Sequence, residues 1–291
     1  MDFLYFLQQN HHPILDFFFE NISLLVNETL IITVVCYLYW CYNKKIAHKI
    51  AIGYFFSGVA IQTMKVFFRI PRPWILDSRI QPSQEMIETA TGYSFPSGHT
   101  QTATSACYSL LDTFKKKGIL IILIIFPFLM MLSRMYVLVH SPLDVTVSFI
   151  VSASIVLFTL YYLNKDYEKH LQHILITMFI LSVIGFVYTV TVVNQNIVTY
   201  ELAEDSIKMM GATAGFTIGC FLETNVLKFE TIKAKKILVL IIGLIFTLAI
   251  KSGLKFILPV NLFTDYFRYF LTLFWILFLY PLILNKKKGN L

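Results

Sequence analysis

The stretch KGILIILIIFPFLMMLSRMYVLVHSPLD, residues 117–144, decides how this chain folds. Its first part is an apolar run of the length a helix needs to cross bilayer hydrocarbon, about 20 residues. Where that run ends and the next begins, the chain places a guanidinium (Arg134), an imidazole (His140) and a carboxylate (Asp144). Each is costly near lipid, so their grouping at a membrane edge marks a functional site by default.

Working outward, similar runs recur along all 291 residues, of which 57% are hydrophobic and only 14% charged. Mean hydropathy is +0.68. Soluble domains carry nearer about a quarter charged residues, which excludes that class. The runs are too long for barrel strands, and backbone in lipid must satisfy its own hydrogen bonds. The expected fold is therefore all-α, a polytopic membrane helical bundle.

Nine spans are expected, at 22–42, 47–67, 97–114, 118–138, 143–163, 170–193, 208–225, 236–257 and 264–284. Residues 1–193 read as a six-span core, and 194–291 as an appended bundle of three spans with no assignable task. The first twenty residues are apolar but broken by Pro13, and read as a segment in the membrane interface, with His11 and His12 at headgroup level. They lack a basic n-region and a small-residue cleavage pattern, so a secretory signal is not expected. Cys36, Cys41, Cys107 and Cys220 lie in apolar runs without metal-ligand spacing and read as inert buried thiols.

Loop charge alternates. Lys44, Lys45 and Lys49, then Lys115–Lys117, Lys165 and Lys169, Lys228, Lys233, Lys235 and Lys236, and Lys286–Lys288 all fall on one side, most of the 24 basic residues. By the positive-inside rule the lysine loops and the C-terminus are cytoplasmic and the N-terminus is outside. The net charge of +7 thus reflects topology, and no nucleic-acid partner is expected. Lys65, Arg69, Arg72, Arg79 and Arg134 sit on the outer side against that rule, as do Lys208, Lys251, Lys255 and Arg268. An anionic ligand is the simplest reason, although snorkelling accounts for Lys251 and Lys255.

This topology brings three stretches to one outer rim. Residues 95–99, FPSGH, read as a loop entering a helix: Ser97 caps, Gly98 admits a ligand close to the backbone, and the first-turn amides form an anion site that His99 can reach. Alone, this stretch is no more than an N-cap with a surface histidine. Lys65 and Arg72 offer a point charge and a planar fork suited to a phosphoryl group. Arg69 and Arg79 fit better as interfacial anchors. Ser141-Pro142 reads as an N-cap and first helical residue, leaving His140 just outside the helix and Asp144 in its first turn. A carboxylate so placed can hold the Nδ1 proton and leave Nε2 as nucleophile, while Arg134 clamps the phosphate.

Read together, Lys65 to Arg72-Pro73, Pro96-Ser97-Gly98-His99, and Ser133-Arg134 to His140 to Asp144 match in order every fixed position of three signature blocks. The chain resembles the type 2 phosphatidic acid phosphatase superfamily of integral membrane lipid phosphatases, over residues 1–193. The resemblance implies a metal-independent phosphatase with no cofactor, His140 as nucleophile, His99 as general acid and Asp144 orienting His140. Lys65, Arg72, Ser97, Gly98 and Arg134 would bind phosphate. The implied substrate is a lipid phosphate or diphosphate taken from the bilayer: phosphatidate, phosphatidylglycerol phosphate, a sphingoid phosphate or an isoprenoid diphosphate. The rival readings are a lipid phosphotransferase using the same histidine, a silent lipid-binding relative, and a transporter, which would want its charges near the midplane rather than at one rim.

Overall fold

The computed structural model describes residues 1–288, with side chains through residue 285, and the described chain folds as helices joined by turns without a strand. Two short helices, α1 (Asp2–Gln9) and α2 (Pro13–Ile22), precede α3 (Glu28–Tyr37) and the long α4 (Lys44–Phe68). A loop region carries α5 (Pro73–Leu76) and α6 (Gln84–Thr89). Then follow α7 (Gly98–Tyr108), α8 (Lys117–Tyr136), α9 (Pro142–Lys165), α10 (Tyr167–Asn194) and α11 (Tyr200–Leu222). The chain closes with α12 (Lys236–Leu248), α13 (Leu254–Ile257), α14 (Leu262–Phe274) and α15 (Tyr280–Lys288). The side chains of Lys286–Lys288, expected on the cytoplasmic side, lie outside the described residues.

The fold is polytopic and all-α as expected, and two of the nine expected spans are not apolar enough to cross by their own composition. Among the described residues six helices are long and apolar enough to cross a membrane, and a seventh crossing arises if Pro13–Val26 and Glu28–Tyr42, bent by 43°, form one span. The expected spans at 97–114 and 208–225 do not qualify. Helix α7 has 11 residues and so rises only about 16 Å. Helix α11 has 23, but it opens with Glu201, Glu204, Asp205 and Lys208 and continues with small and polar residues. Both are enclosed by other helices, and a helix surrounded by protein has no need to be apolar on every face. On α7 the buried side includes Thr100, Gln101, Thr104 and Ser105, with Gln101 Nε2 donating to Tyr54 O (2.9 Å) and Ser57 Oγ (2.8 Å) on α4.

Two devices let backbones pack closely. On α11, Gly211 and Gly215 abut α14: an added Cβ would lie 2.2 Å from Tyr266 O and 2.1 Å from Phe270 O respectively. That four-residue spacing of small residues is a known route to tight helix pairs in membranes. A π-turn at Trp275–Leu279 prolongs α14, and irregular turns leave carbonyls needing donors. The side chains of Trp40 and Tyr39 supply them, to Ile276 O (2.9 Å) and Leu277 O (3.0 Å). One core cluster consequently draws on α3, α4, α9, α10, α11 and α14 together.

At one end of the bundle Lys49 on α4, Asp112 after α7 and Asn164 on α9 bond to each other. The C-terminal end of α4 and the N-terminal ends of α7 and α9 therefore meet at the opposite end, where the three sequence stretches converge.

Candidate active site

Helix α9 begins as its sequence requires. Ser141 is the N-cap, Pro142 the first residue, and a reciprocal capping box joins Asp144 N to Ser141 Oγ (3.3 Å) and Ser141 N to Asp144 Oδ2 (2.7 Å). His140 is set just before it by a turn in which Leu138 adopts φ 64°. That left-handed conformation costs a branched residue on the order of 1 kcal/mol. The cost is met by burying Leu138 against Leu4 of α1 and Ile80, which fixes the turn and the imidazole that follows it.

The His140 ring is held on both nitrogens. Nδ1 lies 3.5 Å from Asp144 Oδ2 and 3.4 Å from Ser94 Oγ, and Ser94 itself donates to Asp144 Oδ2 at 2.6 Å. Nε2 lies 3.1 Å from Nη1 of Arg72, which has only protons to offer. The lone pair is therefore on Nε2 and the ring proton on Nδ1, facing the carboxylate. Burial, then the Arg72 charge, pushes this imidazole well below its ordinary range, and it is neutral.

Three buried cations surround it. Arg72 donates to Thr91 O (2.5 Å), Gly92 O (3.2 Å) and Val139 O (3.1 Å), and Lys65 Nζ to Tyr93 O (2.5 Å). They thereby shape the loop that leads into α7. Arg134 donates to Ser133 Oγ (2.9 Å) and reaches Phe19 O (3.5 Å), while its Nε has no partner among the described residues. Four of the other six outer cations are already matched, Lys208 by Glu204, Lys251 by Glu28, Arg268 by Asp265, and Arg79 by Asp77 and Asp2, while Arg69 and Lys255 are in no ion pair among the described residues and do not line the cavity beside His140. Lys251 is thus an ion-pair partner rather than a snorkelling residue. Among the described residues Lys65, Arg72 and Arg134 have no ion-pair partner. The carboxylates closest to them are engaged elsewhere, Asp144 with His140 and Asp205 with Thr91 and Lys208, which leaves the three cations available to a phosphoryl group of about two negative charges.

Lys65, Arg72, Gly98, His99, Arg134 and His140 all line one cavity of about 620 Å³. A Cβ on Gly98 would meet nothing within 4 Å, so the first turn of α7 is open to a ligand at that residue. His99 is half-buried beside it; enclosure and the charges of Arg134, Arg72 and Lys65 push its pKa down. An anion arriving among those cations reverses part of that shift and favours the imidazolium. Ser97 is the expected N-cap of α7 but does not line the cavity. It is fully buried, its Oγ accepts from Thr100 N (3.4 Å) and Thr100 Oγ1 (3.1 Å), and it caps α7 beneath the cavity instead of lining it. No group of three or more His, Cys, Asp or Glu among the described residues is arranged to hold a metal.

The N-terminal segment belongs to the site as well. Phe19 O accepts from Ser133 Oγ (2.8 Å), and Glu20, Asn21 and Ser23 line the cavity mouth. His11 stacks on Tyr136 with ring centroids 4.5 Å apart, and Tyr136 OH donates to Asp16 (2.7 Å), which clamps α2 across the end of α8. The sequence reading missed this wall, and it also missed Ser94 and Asp205. Ser94 lies three residues before Ser97 in a loop with no periodicity to flag it. Asp205, from α11, accepts from Thr91 Oγ1 (2.6 Å) and steadies the same loop from a distant part of the chain.

Comparison with known proteins identifies the family. The family model described as the PAP2 superfamily matches residues 45–168, and that described as the PAP2 superfamily phosphatase transmembrane extension matches residues 207–288. Among solved structures, LpxE of Aquifex aeolicus is similar, with 26% identity, 55% of this chain and 94% of that chain covered, and a TM-score of 0.47. No curated protein matches the chain. With both matches taken together spanning well over half of its length, the chain belongs to the PAP2 superfamily as a multi-pass membrane phosphatase.

Proposed function

We propose that the protein hydrolyses a phosphomonoester or diphosphate of a membrane lipid through a phosphohistidine on His140, without a metal. The observation that carries the reading is His140 itself. It is neutral, with its proton turned to Asp144 and Ser94 and its lone pair turned into a cavity of unmatched cations.

The substrate's phosphoryl oxygens take over donors of Lys65, Arg72 and Arg134 and the Gly98 amide, drawing Arg72 away from Nε2. A bond forms from Nε2 to phosphorus as the bond to the leaving oxygen breaks, and His99 gives that oxygen its proton. Water then attacks phosphorus, returns a proton to His99 and frees His140 with inorganic phosphate. The cations stabilise the charge gathered on the equatorial oxygens in both steps. Ser97 contributes by holding the start of α7 in place.

The lysine-rich loops support an orientation with the site on the extracytoplasmic face of the cell membrane, the N-terminus outside and the C-terminus in the cytoplasm. The two family matches support a division into a phosphatase core, 1–193, and an extension, 194–291. Isoprenoid diphosphate, phosphatidate and phosphatidylglycerol phosphate are the substrates to try first.

The test is phosphate release by the purified protein from that panel, with chelator present. Release is expected from at least one lipid, and His140→Ala is expected to lose at least about 10⁴-fold in turnover. Normal turnover in that variant rules out the nucleophile. Release only after a second lipid or sugar acceptor is added makes the protein a phosphotransferase.

A further inference from the structure

The cavity that holds the phosphate groups does not end with them. From Lys65 and Gln62 it follows α4 past Tyr54, Ala51 and Ala47 to His48, near the opposite end of that helix. Ala47, Ala51 and Tyr54, and again Gln62 and Lys65, follow three- and four-residue spacing with a gap of about two turns between the two groups, and the distance from Lys65 to Ala47 along the helix is about 27 Å. That is close to the hydrocarbon thickness of a bilayer, about 30 Å. Facing α4 across the cavity are Ile32 and Val35 of α3, Ala212 and Phe216 of α11, and Leu273 of α14. Beyond the phosphate end the lining is dominated by apolar and aromatic side chains.

Closure at the far end is polar. His48 Nδ1 pairs with Tyr167 OH (2.8 Å), and Lys44 bonds Glu223 (2.8 Å) and Phe229 O (3.0 Å).

We infer that this passage is a tunnel for a single long hydrocarbon chain of the phosphate substrate, and that the C-terminal extension exists to build its wall. The inference rests on the phosphatase reading above and adds the substrate class: a single-chain amphiphile whose phosphate sits at His140 and whose chain lies inside the protein. Continuity with the phosphate site identifies the occupant, because a chain attached to a phosphate bound there has this passage before it. The Gly211 and Gly215 contacts have a purpose in this view. They pull α14 tight against one face of α11 and leave the adjacent face, with Ala212 and Phe216, to line the tunnel. Small residues at Ala51 and Ala212 keep the passage open.

The experiment compares a short (about four-carbon) and a long (about sixteen-carbon) alkyl monophosphate, which differ by about a dozen methylenes of apolar surface. The readout is the ratio of kcat/KM for long over short, in wild type, Ala212→Phe, Ala51→Phe and, as a control on the exposed face of α12, Ile241→Phe. Filling the tunnel is expected to lower the ratio about tenfold in both alanine variants and in neither case through the control. A ratio unchanged in Ala212→Phe and Ala51→Phe overturns the tunnel and leaves the phosphatase reading intact. Release from the lipid panel but from neither alkyl phosphate overturns the single-chain substrate class, and release from no substrate of either set overturns the phosphatase reading itself. A second measurement needs no variant: the long-chain alcohol is expected to inhibit short-chain hydrolysis competitively in wild type, and no inhibition overturns the tunnel.

Discussion

Two polar clusters lie at opposite ends of one cavity, and they differ in charge balance. At the far end Lys44 meets Glu223, and His48 meets Tyr167. At the other, Lys65, Arg72 and Arg134 enter no ion pair among the described residues, Asp144 and Asp205 being held by His140 and by Thr91 and Lys208, and the Nε of Arg134 has no partner. Both clusters are buried in a membrane bundle, so burial of charge alone does not distinguish them. A balanced cluster answers its own desolvation cost, whereas an unbalanced one is stable only in company with an anion. The imbalance is what marks the site.

Mutations on the two sides should therefore fail in different ways. The largest contrast is between Arg134→Ala and Glu223→Gln. Removing Arg134 is expected to cost about 10²–10³-fold in kcat, the usual loss for one donor to a transition-state oxyanion, with thermal stability kept. Removing the Glu223 charge strands Lys44 and is expected to cost about 3 kcal/mol of stability, with turnover per folded molecule kept. Thermal unfolding in detergent together with phosphate release reads both, and the comparison breaks if the two variants lose the same property.

The next effect is on pH. Because His140 is held neutral below its ordinary range, the acid limb of kcat/KM should fall below the usual imidazole value of about 6.5. The sign follows from the free base being the nucleophile: activity is lost as pH drops through the pKa and protonates Nε2. An acid limb above that value removes the support that burial and Arg72 give to the assignment.

The smallest effect sharpens the unbalanced side. Ser94→Ala leaves His140 and Asp144 in place but deletes the hydroxyl donating to Asp144 and touching Nδ1. A loss of about tenfold in kcat is expected, equivalent to about 1.4 kcal/mol, with KM little changed. If kcat is unaltered, Ser94 is only a packing residue.

The sequence and the structure divided the work unevenly. The N-cap at Ser141, with His140 outside the helix and Asp144 in its first turn, was legible because capping is a local matter of a few residues. So was the helical, membrane-spanning class, since it follows from the length of apolar runs. That two of the expected spans would be enclosed by protein was not legible. Helices α7 and α11 are shielded by their neighbours, and the hydropathy of a helix reports only on what surrounds it. Ser97 shows a related limit: its capping position was legible, but a motif does not say which of its side chains turns to the cavity.

By itself, then, the amino-acid sequence determined the all-α membrane class and the grouping of Lys65, Arg72, His99, Arg134, His140 and Asp144 at one rim, because topology and local capping depend on residue type and spacing. Only the tertiary structure decided that Ser94 joins His140 to Asp144, that Asp205 of α11 steadies the loop at Thr91, and that α11 and α14 wall the cavity running down α4. Those are contacts between residues far apart in the chain, set by packing that no local pattern encodes.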